Sequence, residues 1–232
     1  MMNESIRRRV NLDFDLKPSF HHKFNLNFSL PYVKNKKVLD IGCWTGQFEQ
    51  IACKYTKQIV GIDPGVEAIK TAKKLVPKAK FFVGDALNLK FKDNSFDTVT
   101  IMDVIEHIPK GTEEKCLKEI KRVLKPNGYL IISTPYSHLI SILLDPAFFI
   151  IGHRHYSEKK LKRLLSSNGF KVVKVKKTGG IFRLCVPLLQ MIYKHIFKRK
   201  FEISKSIENK IKKEYSNKSA FAQINIIAKN IK

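Results

Sequence analysis

Acidic residues are scarce in this chain of 232 residues: 20 Asp and Glu stand against 44 Lys and Arg, a formal net charge of +24. The imbalance is uneven. Residues 153–232 hold 21 basic and 4 acidic side chains, a net +17, whereas residues 1–152 carry +7. A basic patch of this kind attracts nucleic acid, anionic lipid or an anionic substrate; a solvated lysine-rich surface has the same composition. Cysteine is scarce too. Cys43, Cys53, Cys116 and Cys185 form no C-x-x-C pair, so neither a zinc site nor a disulfide framework is indicated, and reduced thiols in a cytoplasmic protein are expected. Long apolar runs are missing. Asp145–Pro146 interrupts the stretch Leu139–Ile151, and Arg183, Pro187 and Lys194 interrupt Ile181–Phe197. Neither reaches the roughly 20 apolar residues of a spanning helix. The opening MMNESIRRRV has no apolar core of a signal peptide. No internal repeat or low-complexity tract stands out.

What is present is a rhythm. The 44% hydrophobic share argues for a folded chain, and its length suits one α/β domain with a cap. Short apolar runs read as strands at Lys36–Gly42, Gln58–Asp63, Lys80–Asp85, Ser95–Asp103 and Tyr129–Pro135. Later strands are expected at Phe170–Val175 and Ala222–Lys229. Helices are expected over Gln47–Tyr55, Pro64–Leu75, Thr112–Leu124 and Ser157–Ser167. Thr112 is a candidate N-cap, Asn168–Gly169 a C-terminal cap, and Pro126–Asn127–Gly128 a turn. Strands and helices in this order predict βαβ units in a mainly parallel sheet with helices on both faces. Ligands of such folds bind beyond the carboxyl ends of the strands, where the strand order reverses.

The first chemical motif is Val38–Gly46, VLDIGCWTG. The dinucleotide fingerprint wants glycine at its first, third and sixth positions. Starting from Gly42, this chain offers Gly42, Trp44 and Gln47, so a pyrophosphate would lack its backbone cradle. The motif instead resembles the class I S-adenosylmethionine methyltransferases, especially the small-molecule branch that includes the ubiquinone-pathway O-methyltransferases. Asp40, Gly42 and Gly46 match the family's acidic-x-Gly-x-Gly-x-Gly pattern, with Trp44 in place of the central glycine. The likeness covers residues 36–135 well and 153–176 more loosely.

That resemblance implies a Rossmann-like, doubly wound seven-stranded sheet, mainly parallel with the last strand antiparallel, carrying a helical cap or insertion. It implies S-adenosyl-L-methionine as cofactor. Cofactor contacts then fall on Asp40, Gly42, Cys43, Trp44 and Gly46 in the first loop, and on Asp63 and Pro64 after the second strand, with Asp63 at the ribose. Asp85 and Ala86 are implied at the adenine, Met102 and Asp103 at the methionine moiety. Ile105–Glu106–His107 faces the reaction centre in many relatives, and Leu124–Gly128 resembles the turn into the fifth strand.

An oxygen acceptor must lose a proton, so a base is sought. His107 and His155 are the candidates; a structural hydrogen-bonding role is the alternative for each. His153–Arg154–His155 does not read as a metal site, because no other ligand cluster is evident beside it. Three segments are candidates for the acceptor pocket. Residues 1–35 form an N-terminal cap containing Phe14, Phe20, His21, His22, Phe24 and Phe28. Residues 136–152 form an apolar connection. Residues 177–221 form an insertion within the main domain of residues 36–232, holding Ile181–Phe197 followed by Lys198–Arg199–Lys200. The insertion fits either a cap helix or peripheral contact with an anionic membrane.

The expected function is methyl transfer to a small, apolar or lipid-like acceptor, with O-methylation favoured. RNA or protein methylation is the rival suggested by the basic C-terminal region, although no Asn-Pro-Pro-aromatic run follows the fourth strand. A non-catalytic binding protein that keeps the cofactor fold is the other rival. Oligomeric state is left open.

Overall fold

The computed structural model describes residues 16–145, 148–149, 152–198, 203–217 and 219–231. Phe14, Pro146, Arg199 and Lys200 lie outside them, as do the side chains of Pro187 and Lys194.

The element order is α1 (Phe20–Val33), β1 (Lys37–Ile41), α2 (Gln47–Ala52), β2 (Gln58–Asp63), α3 (Val66–Leu75), β3 (Lys80–Val83), β4 (Phe96–Met102), α4 (Glu113–Val123), β5 (Leu124–Pro135), α5 (Leu139–Leu143), α6 (Glu158–Ser167), β6 (Phe170–Thr178), α7 (Ile181–Ile196), α8 (Lys205–Ser216) and β7 (Gln223–Asn230). Seven strands form one sheet in the order β3-β2-β1-β4-β5-β7-β6. The pairs from β3 to β5 are parallel, and β7 runs antiparallel to both β5 and β6. The predicted sheet is therefore present.

Side-chain alternation explains the two covered faces. Leu39, Ile41, Val99, Ile101, Leu130 and Ile132 pack against Cys116, Leu117, Ile120 and Val123 of α4 and Leu161 and Leu165 of α6. Their neighbours in the strands face the other way: Val38 and Ile59 meet Leu26 of α1 and Phe48 of α2, and Ile131 and Ile227 meet Phe28 of α1. A strand buried on both faces needs apolar residues in succession, which is why the sequence shows short continuous runs.

Several boundaries move. α3 begins at Val66, two residues late, because the Asp63 carboxylate accepts the Gly65 N–H at 2.7 Å and holds Pro64–Gly65 in a turn. Thr112 occupies the N-cap of α4, but its hydroxyl donates back to the Pro109 carbonyl at 2.7 Å and leaves the helix uncapped by a side chain. β5 starts at Leu124, so the expected turn at Pro126–Gly128 is an irregularity inside a strand. Asn127 takes a positive φ of 62° there, and a Cβ on Gly128 would meet the Lys125 and Asp97 carbonyl oxygens at 2.9 and 3.0 Å. Ser157 does cap α6, accepting the Lys160 N–H at 3.2 Å.

The insertion folds as two helices. α7 has no acidic residue in its first turn, and its exposed amides are answered by α8: Glu214 accepts the N–H groups of Gly180, Phe182 and Arg183 at 3.0, 2.9 and 2.9 Å. Tyr215 of α8 is 3% exposed, with its ring centroid 5.0 Å from Phe20 and 4.9 Å from Phe24 of α1. The N-terminal helix and the insertion thus pack against each other.

Candidate active site

The strand order reverses between β1 and β4. Beyond their carboxyl ends lies a cavity of about 420 Å³, within the range of small-molecule sites. It gathers Asp40, Gly42, Cys43 and Trp44 from the first loop, Asp63 and Pro64 from the second, and Asp85 and Ala86 from the third. Met102, Asp103 and His107 complete the expected set on its wall. Gly46 does not line it. With φ 83° it is the left-handed N-cap of α2, and a Cβ there would press on Phe81 at 3.1 Å.

The first loop turns through three left-handed residues, Gly42 (φ 79°), Trp44 (φ 49°) and Gly46. Gly42 has a second constraint: an added Cβ would lie 2.2 Å from Val104 Cγ2. Trp44 adopts a conformation that glycine takes without cost. Its N–H donates to Asp63 Oδ2 at 3.3 Å, which ties the first loop to the second.

Charges beneath the cavity are buried. Thr100 Oγ1 donates to Asp40, whose carboxyl is pushed up by burial and by the Asp63 charge. Glu49 of α2 is fully buried, and its carboxyl is raised by burial and by Asp40. Two buried carboxyls in contact are most stable sharing one proton. Asp103 goes the other way. Burial alone would raise it, but His21, Arg183 and Ser133 outweigh that and hold it well below the usual carboxylate range. Asp103 itself sits at φ 56°, its N–H donating to the Ser133 carbonyl at 2.8 Å. Its carboxylate meets His21 Nε2 at 2.8 Å and accepts from Ser133 Oγ at 3.0 Å and from Gln223 Nε2.

The N-terminal helix supplies His21, His22 and Asn25 to the cavity wall. His22 Nδ1 accepts the Ser19 N–H at 3.1 Å, and burial, then the neighbouring His21, lower its pKa to about 4. Its ring is neutral near pH 7.

His155 is not brought to the cavity. Its Nε2 lies 2.8 Å from Asp145 and its Nδ1 3.2 Å from the Tyr136 carbonyl, with the side chain 3% exposed. Both its ring nitrogens are engaged and it does not line the cavity, so of the two candidate bases only His107 stands on the wall. The segment around it is an anchor: Arg154 donates to the Ile105 carbonyl at 2.7 Å, and Tyr156 OH donates to the same oxygen at 3.3 Å. Sequence reading also missed the acids that converge on His153. Asp145 Oδ2 lies 2.6 Å from its Nδ1, and Glu106 Oε1 lies 3.6 Å from its Nε2. Burial lowers the His153 pKa, but Asp145 and Glu106 outweigh it and raise it to about 9. No spacing rule links position 145 or 106 to position 153; only the loop fold does.

With this geometry in place, the likeness to known proteins can be read. The family described as "Methyltransferase domain" matches residues 39–132. A demethylmenaquinone methyltransferase of Staphylococcus saprophyticus is 30% identical over 62% of this chain and 75% of its own length. The chain belongs to the methyltransferase domain family. S-adenosyl-L-methionine is the cofactor of that family. The residues present fit it: the Gly42 backbone lines the cavity where a side chain would not fit, and Asp63 and Asp85 stand at the ends of the next two strands. An uncharacterised protein of Methanocaldococcus jannaschii is 29% identical over 87% of this chain and 84% of its own. A chloroplastic tocopherol O-methyltransferase of Arabidopsis thaliana is 39% identical over 44% of this chain and 30% of its own. The chain spans less than half the length of several such relatives, 38% in the case of a norajmaline N-methyltransferase of Rauvolfia serpentina. A methyltransferase structure from Methanosarcina mazei superposes with a TM-score of 0.63 at 22% identity, covering 88% of this chain and 97% of that one. This last likeness concerns the fold of the methyltransferase.

Proposed function

We propose that the protein transfers a methyl group from S-adenosyl-L-methionine to a small, apolar or lipid-like acceptor, with an oxygen atom favoured as the receiving group. One observation carries the proposal. A single cavity at the reversal of strand order collects the motif residues of four separate loops, and His107 closes its wall. Demethylmenaquinone and tocopherol methyltransferases among the relatives support an apolar acceptor, and the tocopherol enzyme is an O-methyltransferase by name.

When bound, the cofactor supplies an electrophilic methyl on a sulfonium sulfur. The chain's own residues do the rest. Asp63 would receive the ribose hydroxyls, and Asp85 with Ala86 would receive the adenine edge. Met102 and Asp103 would border the methionine moiety. The lid from α1 excludes water, and holding the acceptor in line lowers the barrier by about 7–11 kcal/mol in well-oriented systems. His107 meets the acceptor's hydroxyl and takes its proton, a contribution of roughly 100- to 10,000-fold.

Calorimetric titration with S-adenosyl-L-methionine and S-adenosylhomocysteine tests the reading, with Asp63→Ala as control. Saturable binding lost in the variant supports it, and a labelled-methyl screen of quinols, phenols and lipids follows. A well-folded protein that binds neither compound overturns it and favours the non-catalytic rival.

A second reading concerns location. Ile196 and Phe197 at the end of α7 are 69% and 57% exposed, and the C-terminal region around them is strongly basic. No helix among the described residues is long and apolar enough to cross a membrane. An apolar helix end within a basic field suits peripheral contact with anionic lipid. Flotation with phosphatidylglycerol vesicles but not with phosphatidylcholine vesicles is expected. Equal flotation with neither, together with steeply salt-dependent RNA binding, transfers the basic region to the nucleic-acid rival.

A further inference from the structure

Beside the cavity, the described chain places Glu106, His107 and His153 so that one ligand atom of each lies within 4.8 Å of the others. Glu106 stands out among them. Its side chain is 0% exposed, and its Oε2 accepts from Thr134 Oγ1 at 2.9 Å. Its Oε1 is buried with no hydrogen-bond partner among the described residues. A buried carboxylate oxygen without a hydrogen-bond donor depends on a nearby positive charge, from a protonated imidazole or a bound ion. His153 Nε2 lies 3.6 Å from Oε1, an ion-pair distance and longer than a hydrogen bond. Two ligands of one ion bonded near 2.1 Å stand about 3.0–3.4 Å apart, so this gap has the scale of a coordination edge. We propose that Glu106, His107 and His153 bind a divalent transition-metal ion on the wall of the cavity.

The surroundings are those of a metal-ligating histidine. Such an imidazole commonly gives its second N–H to a carboxylate, which fixes the ring and its tautomer. His153 Nδ1 meets Asp145 Oδ2 at 2.6 Å, leaving Nε2 turned toward Glu106. His155 Nε2 steadies the same Asp145 oxygen at 2.8 Å. The Ile105 carbonyl, one residue before Glu106, is held by Arg154 and Tyr156. The His107 and His153 ring centroids lie 4.6 Å apart, with the planes tilted by 30°.

Asp145, His153 and His155 form a second possible set. Their separations of 2.6 and 2.8 Å are hydrogen bonds and are too short for two ligands around one ion. That set orients the first one.

Two imidazoles and one carboxylate leave coordination positions open, and this donor set suits zinc, iron, manganese or cobalt. His107 also lines the cavity, which puts the set next to the acceptor's space. On the proposed methyl transfer, and resting on that reading, the fitting occupant is the oxygen of a hydroxylated acceptor. In the ion-loaded protein the acidifying role then passes from His107 to the ion.

The test uses tag-free full-length protein, cobalt(II) and zinc(II). One cobalt ion per chain, with visible absorption bands and displacement by zinc, is expected. Glu106→Gln and His153→Ala should weaken binding at least tenfold, with circular dichroism confirming the fold. His155→Ala should keep the ion. Wild-type protein that binds no cobalt overturns the site. So does loss of the ion in His155→Ala with retention in Glu106→Gln, which would place it at Asp145. If Glu106→Gln fails to fold, the wild-type and His155→Ala results decide. Cofactor titration run in parallel separates the two proposals: ion binding without S-adenosyl-L-methionine binding sinks the methyl transfer and leaves the metal site standing.

Discussion

His21 and Asp103 stand 82 positions apart in the chain and meet at 2.8 Å, Nε2 to carboxylate, on the cavity wall. The other ring nitrogen of His21 lies 3.1 Å from Tyr215 OH, to which Arg183 Nε donates at 3.2 Å. One imidazole therefore joins the N-terminal helix, the end of β4 and both helices of the insertion. His21→Ala removes that junction. The Asp103 side chain is 36% exposed, so solvent screens the pair and the expected loss is about 1 kcal/mol. In thermal unfolding this is a fall of roughly 2–4 °C. Cofactor affinity should fall with it, whereas Tyr215→Phe, which keeps the ring contacts, should do less to both.

The Asp40–Glu49 pair makes stability depend on pH in a defined direction. Burial raises Asp40 to about 7 and Glu49 also lies above its ordinary value, so the folded state holds a proton that the unfolded state releases near pH 4. Stability should therefore fall as pH rises from about 4 to about 7, by up to about 1.4 kcal/mol per pH unit for one proton. Glu49→Gln supplies a permanent donor to Asp40 and should flatten the slope. Urea unfolding at pH 5, 6 and 7 measures it; an identical slope in the variant would show that the pair carries no shared proton.

Gly42 is constrained twice, by its left-handed φ and by Val104. Gly42→Ala should cost about 1–3 kcal/mol and abolish tight cofactor binding. Val104→Ala in the same chain removes the colliding methyl groups and should recover part of the stability. A double-mutant cycle reads the coupling.

Glu214 caps α7 from another helix. Glu214→Ala should destabilise the protein by about 1 kcal/mol and speed hydrogen exchange at the amides of Gly180, Phe182 and Arg183. Exchange should remain slow at β7. Unchanged exchange at those three amides would mean that α7 holds its first turn without the carboxylate.

The strand-end residues that line the cavity were legible because their placement is local. A strand end followed by a tight turn must place Asp40 and Gly42, Asp63, Asp85 or Asp103 at one edge of a parallel sheet, whatever else the chain does. The acceptor half was less legible. His155 carries the right chemistry for a base, yet Asp145 and the Tyr136 carbonyl hold both its nitrogens. Glu49 reads as one more polar residue of a short helix, and nothing near it in sequence signals that it stands under Asp40. Glu106 was noticed for its place after β4, but its link to His153 depends on how two loops cross.

The chain by itself determined the sheet, its parallel sense and the loops that gather at its carboxyl edge, because hydrophobic period and turn chemistry act over a few residues. It also determined the basic character of its last third, which is a matter of composition. Tertiary structure alone decided which histidine faces the cavity, which carboxyls share burial and which helix caps another. Those outcomes come from contacts between segments tens of positions apart, where desolvation and hydrogen-bond geometry act through space and leave no periodic trace in the sequence.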